Sequence, residues 1–130
     1  MTNSGDSRCI FCQCVNSDRI VATCGTVYAI LDKYPVTPGH HLVIPKRHVA
    51  DYFAMSPDEK RDAEALLAVL RQQILESDPA VQGFNVGMNC GEVAGQTVMH
   101  AHIHLIPRRA GDTVEPRGGV RGCVPGKMSY

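Results

Sequence analysis

Three histidines occupy alternate positions in one short apolar run of the sequence, MHAHIHLIP: His100, His102 and His104. Imidazole side chains bind metal ions, transfer protons near neutral pH and act as nucleophiles, so such a row can serve any of these three chemistries. The other three histidines lie close together earlier in the chain: His40, His41 and His48. This grouping indicates a functional site rather than chance exposure of histidines on a strand.

Two cysteines near the start of the sequence, Cys9 and Cys12 in CIFCQC, have the C-x-x-C spacing of metal ligands. A zinc site needs four ligands, and no second C-x-x-C pair follows, so the remaining ligands would have to come from distant parts of the chain. Cys14 could compete with Cys12 as a ligand. The alternative interpretation is that the thiols are simply small hydrophobic residues.

The three histidines can act together only if a strand holds them in register. Successive side chains of a strand point to opposite faces, so a strand over residues 99–106 would place all three imidazoles on one face. Ala101, Ile103 and Leu105 would then point into the core. We therefore predict one structural, apolar face and one face that carries the imidazoles.

One long helix is predicted after Ser56, which is a good N-cap. Pro57 suits the first helical position, and Glu59 completes a capping box. The apolar face of this helix repeats at three- and four-residue steps: Ala63, Leu66, Leu67, Leu70 and Ile74. This stripe is typical of a helix that packs on a sheet.

The predicted strands are short and are joined by connections of hairpin length. Apolar runs on both sides of Gly25-Thr26 predict a hairpin whose second strand covers residues 27–31. Further strands are predicted over residues 41–44 and 84–89. Strands, a helix and more strands in this order favour an α+β fold, an antiparallel sheet with helices packed on one side.

The composition is that of one globular domain, 1–130, in which residues 113–130 form a glycine-rich tail. The 13 basic residues balance the 13 acidic ones, so we expect neither a nucleic-acid partner nor a membrane surface. The N-terminus has no basic segment followed by an apolar run, and no apolar stretch approaches the ~18–20 residues that span a bilayer. We expect a cytoplasmic protein with reduced cysteines.

The sequence resembles the histidine triad (HIT) superfamily of nucleoside phosphate hydrolases and transferases. HAHIHLI matches the family's alternation of histidine and apolar residues, and AILDKYPVTPGHHLVIPKRHV resembles its N-terminal strand–turn–strand. MNCGEVAGQTVMHAHIHLIPRRAGD resembles its loop and triad strand, and CIFC with the tail RGGVRGCVPGK is similar to the small zinc-containing bacterial members. The similarity covers most of the chain.

The resemblance implies a catalytic role for three of the histidines. His102, the middle histidine, would attack the α-phosphorus of a nucleotide and form a covalent nucleotidyl-histidine that water then hydrolyses. His104 and His40 would face the transferring phosphate as hydrogen-bond donors. His41 follows His40 directly and is the alternative to it, although a strand that starts here would turn His41 to the opposite face.

The resemblance also implies residues that bind the nucleotide. Asp32 lies where relatives carry a residue that binds the ribose hydroxyls, although it could instead be an exposed turn aspartate. Three residues before the triad would bind phosphate or the leaving group: Asn89, Gln96 and Thr97. Because aromatic residues are few, we expect a weakly selective apolar slot for the base, with three candidates: Phe11, Ile30 and Leu31.

The zinc-containing relatives and the related uridylyltransferases complete their metal site with two histidines, one of them the first histidine of the triad. The resemblance therefore implies a Cys2His2 site formed by Cys9, Cys12, His48 and His100. Such a site would be structural, because no ligand position stays open, and it would clamp the N-terminal segment 1–14 to the triad strand. A catalytic metal bound by the histidine row is the less favoured alternative.

The sequence therefore predicts an enzyme that attacks the α-phosphate of an adenosine or other purine nucleotide derivative. The alternatives are a dinucleoside polyphosphate hydrolase specifically, or a non-catalytic nucleotide-binding regulatory protein. A twofold homodimer is expected from the family resemblance. We also expect the tail to pack at the mouth of the site, across the dimer interface, with Arg117 and Arg121 able to meet phosphate.

Overall fold

A computed structural model describes residues 8–130, so residues 1–7 of the predicted zinc-binding segment 1–14 lie outside the described residues. In chain order, the helices and strands are α1 (Ile10–Cys14), β1 (Ile20–Cys24), β2 (Val27–Leu31), β3 (His41–Pro45), α2 (Pro57–Ser77), β4 (Val81–Gly87) and β5 (Ile103–Arg109). Three 3-10 turns connect or follow them: Tyr52–Ala54, Glu92–Ala94 and Gly119–Cys123.

The five strands form one antiparallel sheet in the order β1-β2-β3-β5-β4. The two-residue connection Gly25-Thr26 joins β1 to β2 as predicted, and Gly25 has a φ of 55°. The carboxylate of Asp62 on α2 accepts hydrogen bonds from the backbone N–H and the hydroxyl of Thr26, which ties this hairpin to the helix. The predicted α+β class is confirmed.

Helix α2 begins where the sequence predicts. The Ser56 side chain accepts a hydrogen bond from the Glu59 N–H, and the Glu59 carboxylate accepts one from the Ser56 N–H, which completes the capping box. Glu59 is 3% exposed, and its second partner is the guanidinium of Arg47. The predicted apolar stripe is buried against the sheet, with Leu67 only partly buried.

The two faces of the sheet have separate apolar clusters. Val27 and Ala29 point to the face that α2 covers, whereas Tyr28 and Ile30 point to the opposite face. Helix α1 packs on that opposite face, where Phe11 is buried and its carbonyl oxygen accepts a hydrogen bond of 2.5 Å from the Tyr28 hydroxyl. This short helix was not predicted, and it brings Cys9 and Cys12 onto the sheet.

The triad strand begins later than predicted. Strand β5 starts at Ile103, so His100 and His102 precede it instead of lying within it. The segment before β5 is held by other hydrogen bonds than those between paired strands. The Ala101 N–H donates to the Val49 carbonyl oxygen at 2.8 Å, and the side chains of His100 and His102 bond to backbone carbonyl oxygens. The apolar residues between the histidines are nevertheless buried as predicted: Ala101, Ile103 and Leu105.

Strand β4 also differs from its predicted bounds of 84–89, because it begins at Val81 and ends at Gly87. Its partner β5 continues to Arg109, which pairs with Val81 and so extends β4 at its start. Asn89 therefore lies in the loop after the strand.

Among residues 8–130, no helix is both long and apolar enough to cross a membrane.

Candidate active site

A chain of hydrogen bonds links His40 to His104. The Val36 N–H donates to Nδ1 of His40 at 3.0 Å, so the ring proton of neutral His40 must sit on Nε2. That Nε2 lies 2.9 Å from Nδ1 of His104. His40 thus donates to His104, and the remaining proton of His104 sits on its Nε2, as a donor for a ligand.

His102 is fixed in one tautomer by its neighbour in the chain. Its Nδ1 lies 2.8 Å from the carbonyl oxygen of His100, which can only accept a hydrogen bond. Nδ1 therefore carries the proton, and Nε2 keeps its lone pair. The ring centroid of His102 is 5.3 Å from that of His104 and 5.0 Å from that of Phe11. This arrangement provides a nucleophilic nitrogen beside a hydrogen-bond donor.

Burial keeps the supporting histidines neutral. Desolvation, followed by the nearby His102 and His40, lowers the pKa of His104 to about 4. Desolvation also lowers the pKa of His40, although the Asp32 carboxylate opposes it. Both rings are therefore neutral at pH 7, which agrees with the tautomers that their hydrogen bonds require.

Asp32 lies directly after β2, next to His40. Its backbone N–H donates to the His40 carbonyl oxygen at 2.9 Å, and its Oδ2 lies 3.4 Å from Nε2 of His40. Its Oδ1 accepts a hydrogen bond of 2.7 Å from the Tyr34 N–H. Asp32 is thus a turn aspartate, although it is partly buried and not exposed, and it lies beside the histidine pair. Its binding of ribose hydroxyls stays a prediction.

The loop before the triad is held by Gln96, which is 3% exposed. Its Oε1 accepts a hydrogen bond from the Gly91 N–H at 2.8 Å, and its Nε2 donates to the carbonyl oxygens of Ala50 at 2.6 Å and Val98 at 3.1 Å. Both ends of the amide are therefore engaged within the protein, and the structure gives Gln96 a structural role where the sequence suggested a phosphate contact. Gly91 and Gly95 bracket this loop with φ angles of 96° and 97°, which favour glycine.

Two cavities flank the triad. The larger, about 830 Å³, extends from His40 and His104 past Asn89 to the 3-10 turn of the tail. The smaller, about 490 Å³, lies beside Cys9 and His48 and is lined by Thr97. The structure therefore places Asn89 and Thr97, predicted to act together, in different cavities.

The three candidates for the base slot have different environments. Phe11 is buried, and its ring lies edge-on to those of His100 and His102, at centroid distances of 5.9 and 5.0 Å. Ile30 is 0% exposed, so it can support the site from beneath but cannot touch a ligand. Leu31 is 49% exposed and lies on the face opposite to Ile30. The structure does not bring these three residues together as one slot.

The four predicted metal ligands meet although they come from distant parts of the chain. The donor atoms of Cys9, Cys12, His48 and His100 all lie within 4.8 Å of one another. The Cys9 Sγ is 3.3 Å from Nδ1 of His100, and the Cys12 Sγ is 3.2 Å from Nδ1 of His48. Tetrahedral zinc with sulfur and nitrogen ligands separates such atoms by about 3.5 Å, so the donor set and its spacing fit Zn²⁺.

A second hydrogen bond orients His100 toward the thiols. Its Nε2 lies 2.7 Å from the Pro45 carbonyl oxygen and must donate to it, which leaves the Nδ1 lone pair facing Cys9. Cys14, the alternative to Cys12, is buried outside this cluster, where its sulfur accepts a hydrogen bond from Arg19 at 3.6 Å. The geometry thus favours Cys12 over Cys14 as the ligand.

A metal at the histidine row itself is less compatible with the structure. Asp32, His40 and His104 offer ligand atoms that lie within 4.8 Å of one another. However, the ring nitrogens of His40 and His104 that would have to bind the ion are already joined by the 2.9 Å hydrogen bond between them. The cluster that contains the two cysteines is therefore the better candidate metal site.

One residue of the larger cavity was missed at the sequence level. Arg108 lines this cavity, and its guanidinium binds both carboxylate oxygens of Asp112 and the side-chain oxygen of Asn85. The alternation of side chains along a strand could have indicated this position. Arg108 is four residues after His104 on β5, so the two side chains point to the same face.

Comparisons with known proteins identify relatives of this chain. The HIT domain family model matches residues 13–111. An uncharacterized HIT-like protein of Methanocaldococcus jannaschii is 36% identical over 111 residues, which are 80% of this chain and 81% of that protein. An AP-4-A phosphorylase of Mycobacterium tuberculosis is 35% identical over 96 residues, which are 72% of this chain but only 48% of that protein.

A solved structure has the same fold. The zinc-bound histidine triad family protein from Mycobacterium smegmatis superimposes with a TM-score of 0.70 at 36% identity, covering 85% of this chain and 82% of that one. The sequence match spans the sheet from β1 to β5, together with all six histidines. This chain belongs to the HIT domain family.

Proposed function

We propose that this protein is a nucleotide hydrolase or nucleotidyl transferase that works through a covalent nucleotidyl-histidine on His102. The observation that carries the proposal is the 2.8 Å hydrogen bond from Nδ1 of His102 to the His100 carbonyl oxygen, which leaves the Nε2 lone pair free. A neutral imidazole held in this tautomer is a competent nucleophile near pH 7. The substrate class is a purine nucleotide whose α-phosphate carries a leaving group.

The reaction consists of two displacements at phosphorus. In the first, the Nε2 lone pair of His102 forms a bond to the α-phosphorus, and the leaving group departs with the electron pair of its former bond and takes a proton from solvent. In the second, a water oxygen bonds to phosphorus, the phosphorus–nitrogen bond breaks, its electron pair returns to Nε2, and the water releases a proton. The net reaction is hydrolysis, and an acceptor other than water gives nucleotidyl transfer.

The neighbouring side chains stabilise this reaction without changing their protonation. Nε2–H of His104 donates to a phosphoryl oxygen, and His40 holds His104 in the tautomer that makes this possible. The His100 carbonyl oxygen stabilises the positive charge that forms on the His102 ring. The Asp32 carboxylate, beside His40, accepts hydrogen bonds from the ribose hydroxyls.

Zinc has a structural role in this proposal. Cys9, Cys12, His48 and His100 would hold it, and the zinc-bound relative supports this assignment. Four protein ligands would leave no open position for substrate, so zinc bound there would supply stability and not chemistry. The ligand His100 would be held in place, and its carbonyl oxygen orients His102.

Dinucleoside tetraphosphate is the second candidate substrate. The relative named AP-4-A phosphorylase favours it, although this chain spans about half of that protein. The chemistry at His102 would be the same, with a nucleoside polyphosphate as leaving group. Steady-state turnover of diadenosine tetraphosphate by the wild-type protein tests this candidate.

The test is a single-turnover trap with protein in excess over adenosine phosphoramidate that carries labelled phosphorus, quenched in alkali, where phosphorus–nitrogen bonds survive. We expect label on the wild-type protein and on His102 in particular. His102→Ala should bind nucleotide but neither form the adduct nor turn over.

The matched control is His41→Ala. His41 lies next to His40 in sequence, and its Nδ1 bonds to the Gly39 carbonyl oxygen at 2.6 Å, away from the histidine pair. This variant should keep wild-type turnover and labelling. Wild-type turnover in His102→Ala would refute the mechanism, and nucleotide binding without any labelled adduct or turnover in the wild type would favour a non-catalytic binding protein.

A further inference from the structure

The turn before β3, residues 36–39, supplies the hydrogen bond that fixes the ring of His40. The His40 N–H donates to the Thr37 carbonyl oxygen at 3.2 Å, so the turn folds back on this residue. The Val36 N–H donates to Nδ1 of His40 at 3.0 Å. The position of this one N–H group therefore decides which ring nitrogen of His40 carries the proton.

Strand β5 holds this turn through Thr37. The Thr37 hydroxyl donates to the Pro107 carbonyl oxygen on β5 at 2.6 Å. A β-carbon at Gly39 would lie only 3.2 Å from Cγ of Pro107, so the backbone of the turn packs directly on the strand. Because Pro107 follows His104 by three residues on β5, the strand that carries one histidine of the pair also holds the turn that orients the other.

Arg109, also on β5, is the second anchor of the turn. Its Nη2 donates to the Pro38 carbonyl oxygen at 3.0 Å and to Oδ2 of Asp78 at 2.7 Å. The hydrogen bond from Arg109 lowers the pKa of Asp78, so this carboxylate stays ionised and holds the guanidinium in place. Nη1 of Arg109 is buried without a hydrogen-bond partner among residues 8–130, so the contacts of Nη2 determine how this side chain is placed.

Loss of either anchor would change the proton arrangement of the histidine pair. If the Val36 N–H moves away, the proton of His40 can occupy Nδ1, and its Nε2 then accepts a hydrogen bond from His104. His104 would donate from Nδ1 and present a lone pair at Nε2, where a phosphoryl oxygen needs a donor. The Asp32 carboxylate, 3.4 Å from Nε2 of His40, still favours the original arrangement, so we expect a mixture of the two tautomers.

We propose that Thr37 and Arg109 are positioning residues for the histidine pair. By holding the turn on β5, they keep His40 and His104 in the tautomers that the transfer step requires. The kinetic consequence rests on the proposed function, whereas the tautomers can be measured without turnover. His41 also contacts the turn, but its bond goes to a carbonyl oxygen only two residues away and does not connect the turn to β5.

The test is Thr37→Val, which removes the hydroxyl and keeps the shape of the side chain. Side-chain ¹⁵N NMR of the full chain should show His40 and His104 as single Nε2–H tautomers in the wild type and as mixtures in this variant. With adenosine phosphoramidate, kcat should fall by about tenfold while KM changes by about twofold or less, because the misplaced donor acts in the transition state. Thr37→Ser keeps the hydroxyl and should restore both the tautomers and kcat.

Arg109→Met removes the second anchor and should give the same mixture of tautomers and a similar loss of kcat. Two controls remove comparable groups elsewhere. Thr26→Val deletes a hydroxyl that donates to Asp62 at 2.7 Å, just before β2 and at the end of that strand away from the histidine pair. Arg61→Met deletes an exposed guanidinium on α2 that pairs with Asp58. Both controls should keep the wild-type tautomers and kcat.

Single Nε2–H tautomers at both histidines in Thr37→Val and Arg109→Met would overturn this inference and leave the proposed function standing. An equal loss of kcat in Thr26→Val would also overturn it, since the effect would then be a general loss of stability. Absence of turnover and of labelled His102 in the wild type would refute the proposed function, and the NMR comparison would still decide whether Thr37 and Arg109 position the pair.

Discussion

His100 connects the candidate metal site to the candidate nucleophile through three different atoms. Its Nδ1 faces the thiol of Cys9, its Nε2 donates to the Pro45 carbonyl oxygen, and its own carbonyl oxygen accepts from His102. The ring thus belongs to one site and the backbone to the other. A rotation of the ring alone would lose the cysteine contact and leave the carbonyl oxygen in place, whereas a change in the His100 backbone would disturb both sites.

The buried histidines should make the fold sensitive to acid. The pKa of His104 is about 4 in the folded chain, against about 6.5 when unfolded, so between these values the unfolded chain binds the extra proton. Stability is then complete above the unfolded pKa and falls as the pH drops toward the folded one. We expect His104 to contribute a loss of about 1–2 kcal/mol between pH 7 and pH 5, measured by urea unfolding.

The comparison variant for this prediction is His104→Asn, whose side chain can still accept the hydrogen bond from His40 but does not titrate. Its unfolding free energy should fall less steeply with acid than that of the wild type. Loss of metal in acid affects both proteins alike. The difference between their slopes of unfolding free energy against pH therefore measures the contribution of the His104 ring alone. Identical slopes would show that His104 titrates normally.

Residue types, together with the family resemblance, predicted which side chains would come together, but not how each would be used. The two cysteines and two histidines of the metal cluster meet as expected, because their chemistry is specific to metal binding. Gln96 was assigned to a ligand, but its amide bonds to three backbone groups, a use that sequence alone cannot distinguish. Ile30 is a predicted base-slot residue that the structure buries completely. This burial depends on the packing of α1, which the sequence does not reveal.

Among the elements, α2 was predicted best because its end signals are local. Ser56 and Glu59 satisfy each other within one turn. The predicted start of β5, at residue 99, is wrong by four residues. The segment that carries His100 and His102 is held by contacts from residues 45 and 49, which are far away in sequence. Helix α1 has five residues, too few for a helical period to be recognised.

The tail is a folded element that closes on itself beside the larger cavity. The Tyr130 ring lies 4.7 Å from the guanidinium of Arg117 and 5.2 Å from that of Arg121. Nε of Arg121 also donates to the Lys127 carbonyl oxygen at 3.0 Å. The tail packs against β4 of its own chain. Its predicted position across a dimer interface stays a prediction, because the structure contains one chain.

Deletion of residues 118–130 should therefore raise KM for adenosine phosphoramidate by about tenfold, because the cavity loses the apolar side chains of Val120 and Val124. Steady-state kinetics measure this, and the metal content should not change, because the cysteines and histidines lie elsewhere. Tyr130→Phe keeps the ring between the two arginines and should behave as the wild type. Unchanged kinetics after the deletion would make the tail an appendage without a role at the site.

At the scale of the whole molecule, the sheet ends at β4, which pairs only with β5 among the described strands. The backbone groups on its outer side can pair with another strand. A twofold homodimer remains our prediction for this chain, and the free edge of β4 is one place where a second copy can add to the sheet. The α+β class itself was predictable because hairpin-length connections allow few other arrangements.

The metal cluster should stabilise the whole fold more than it affects the reaction. We expect about one zinc per chain, measured by elemental analysis of the purified protein. Cys9→Ser should lose most of the metal and melt at a lower temperature, while its turnover at a temperature where it stays folded falls less than in His102→Ala. Cys14→Ser should keep the metal, and a full metal content in Cys9→Ser would contradict the ligand assignment.

The cluster joins residues 91 positions apart, Cys9 and His100, and so closes a loop that contains most of the chain. A cross-link of this span lowers the entropy of the unfolded chain by an amount worth about 4–5 kcal/mol if the bond survives unfolding. During synthesis the thiols of Cys9 and Cys12 emerge long before His100. His100 supplies both the fourth candidate ligand and the carbonyl oxygen that orients His102. A nascent chain therefore cannot complete its metal site before it can orient its nucleophile.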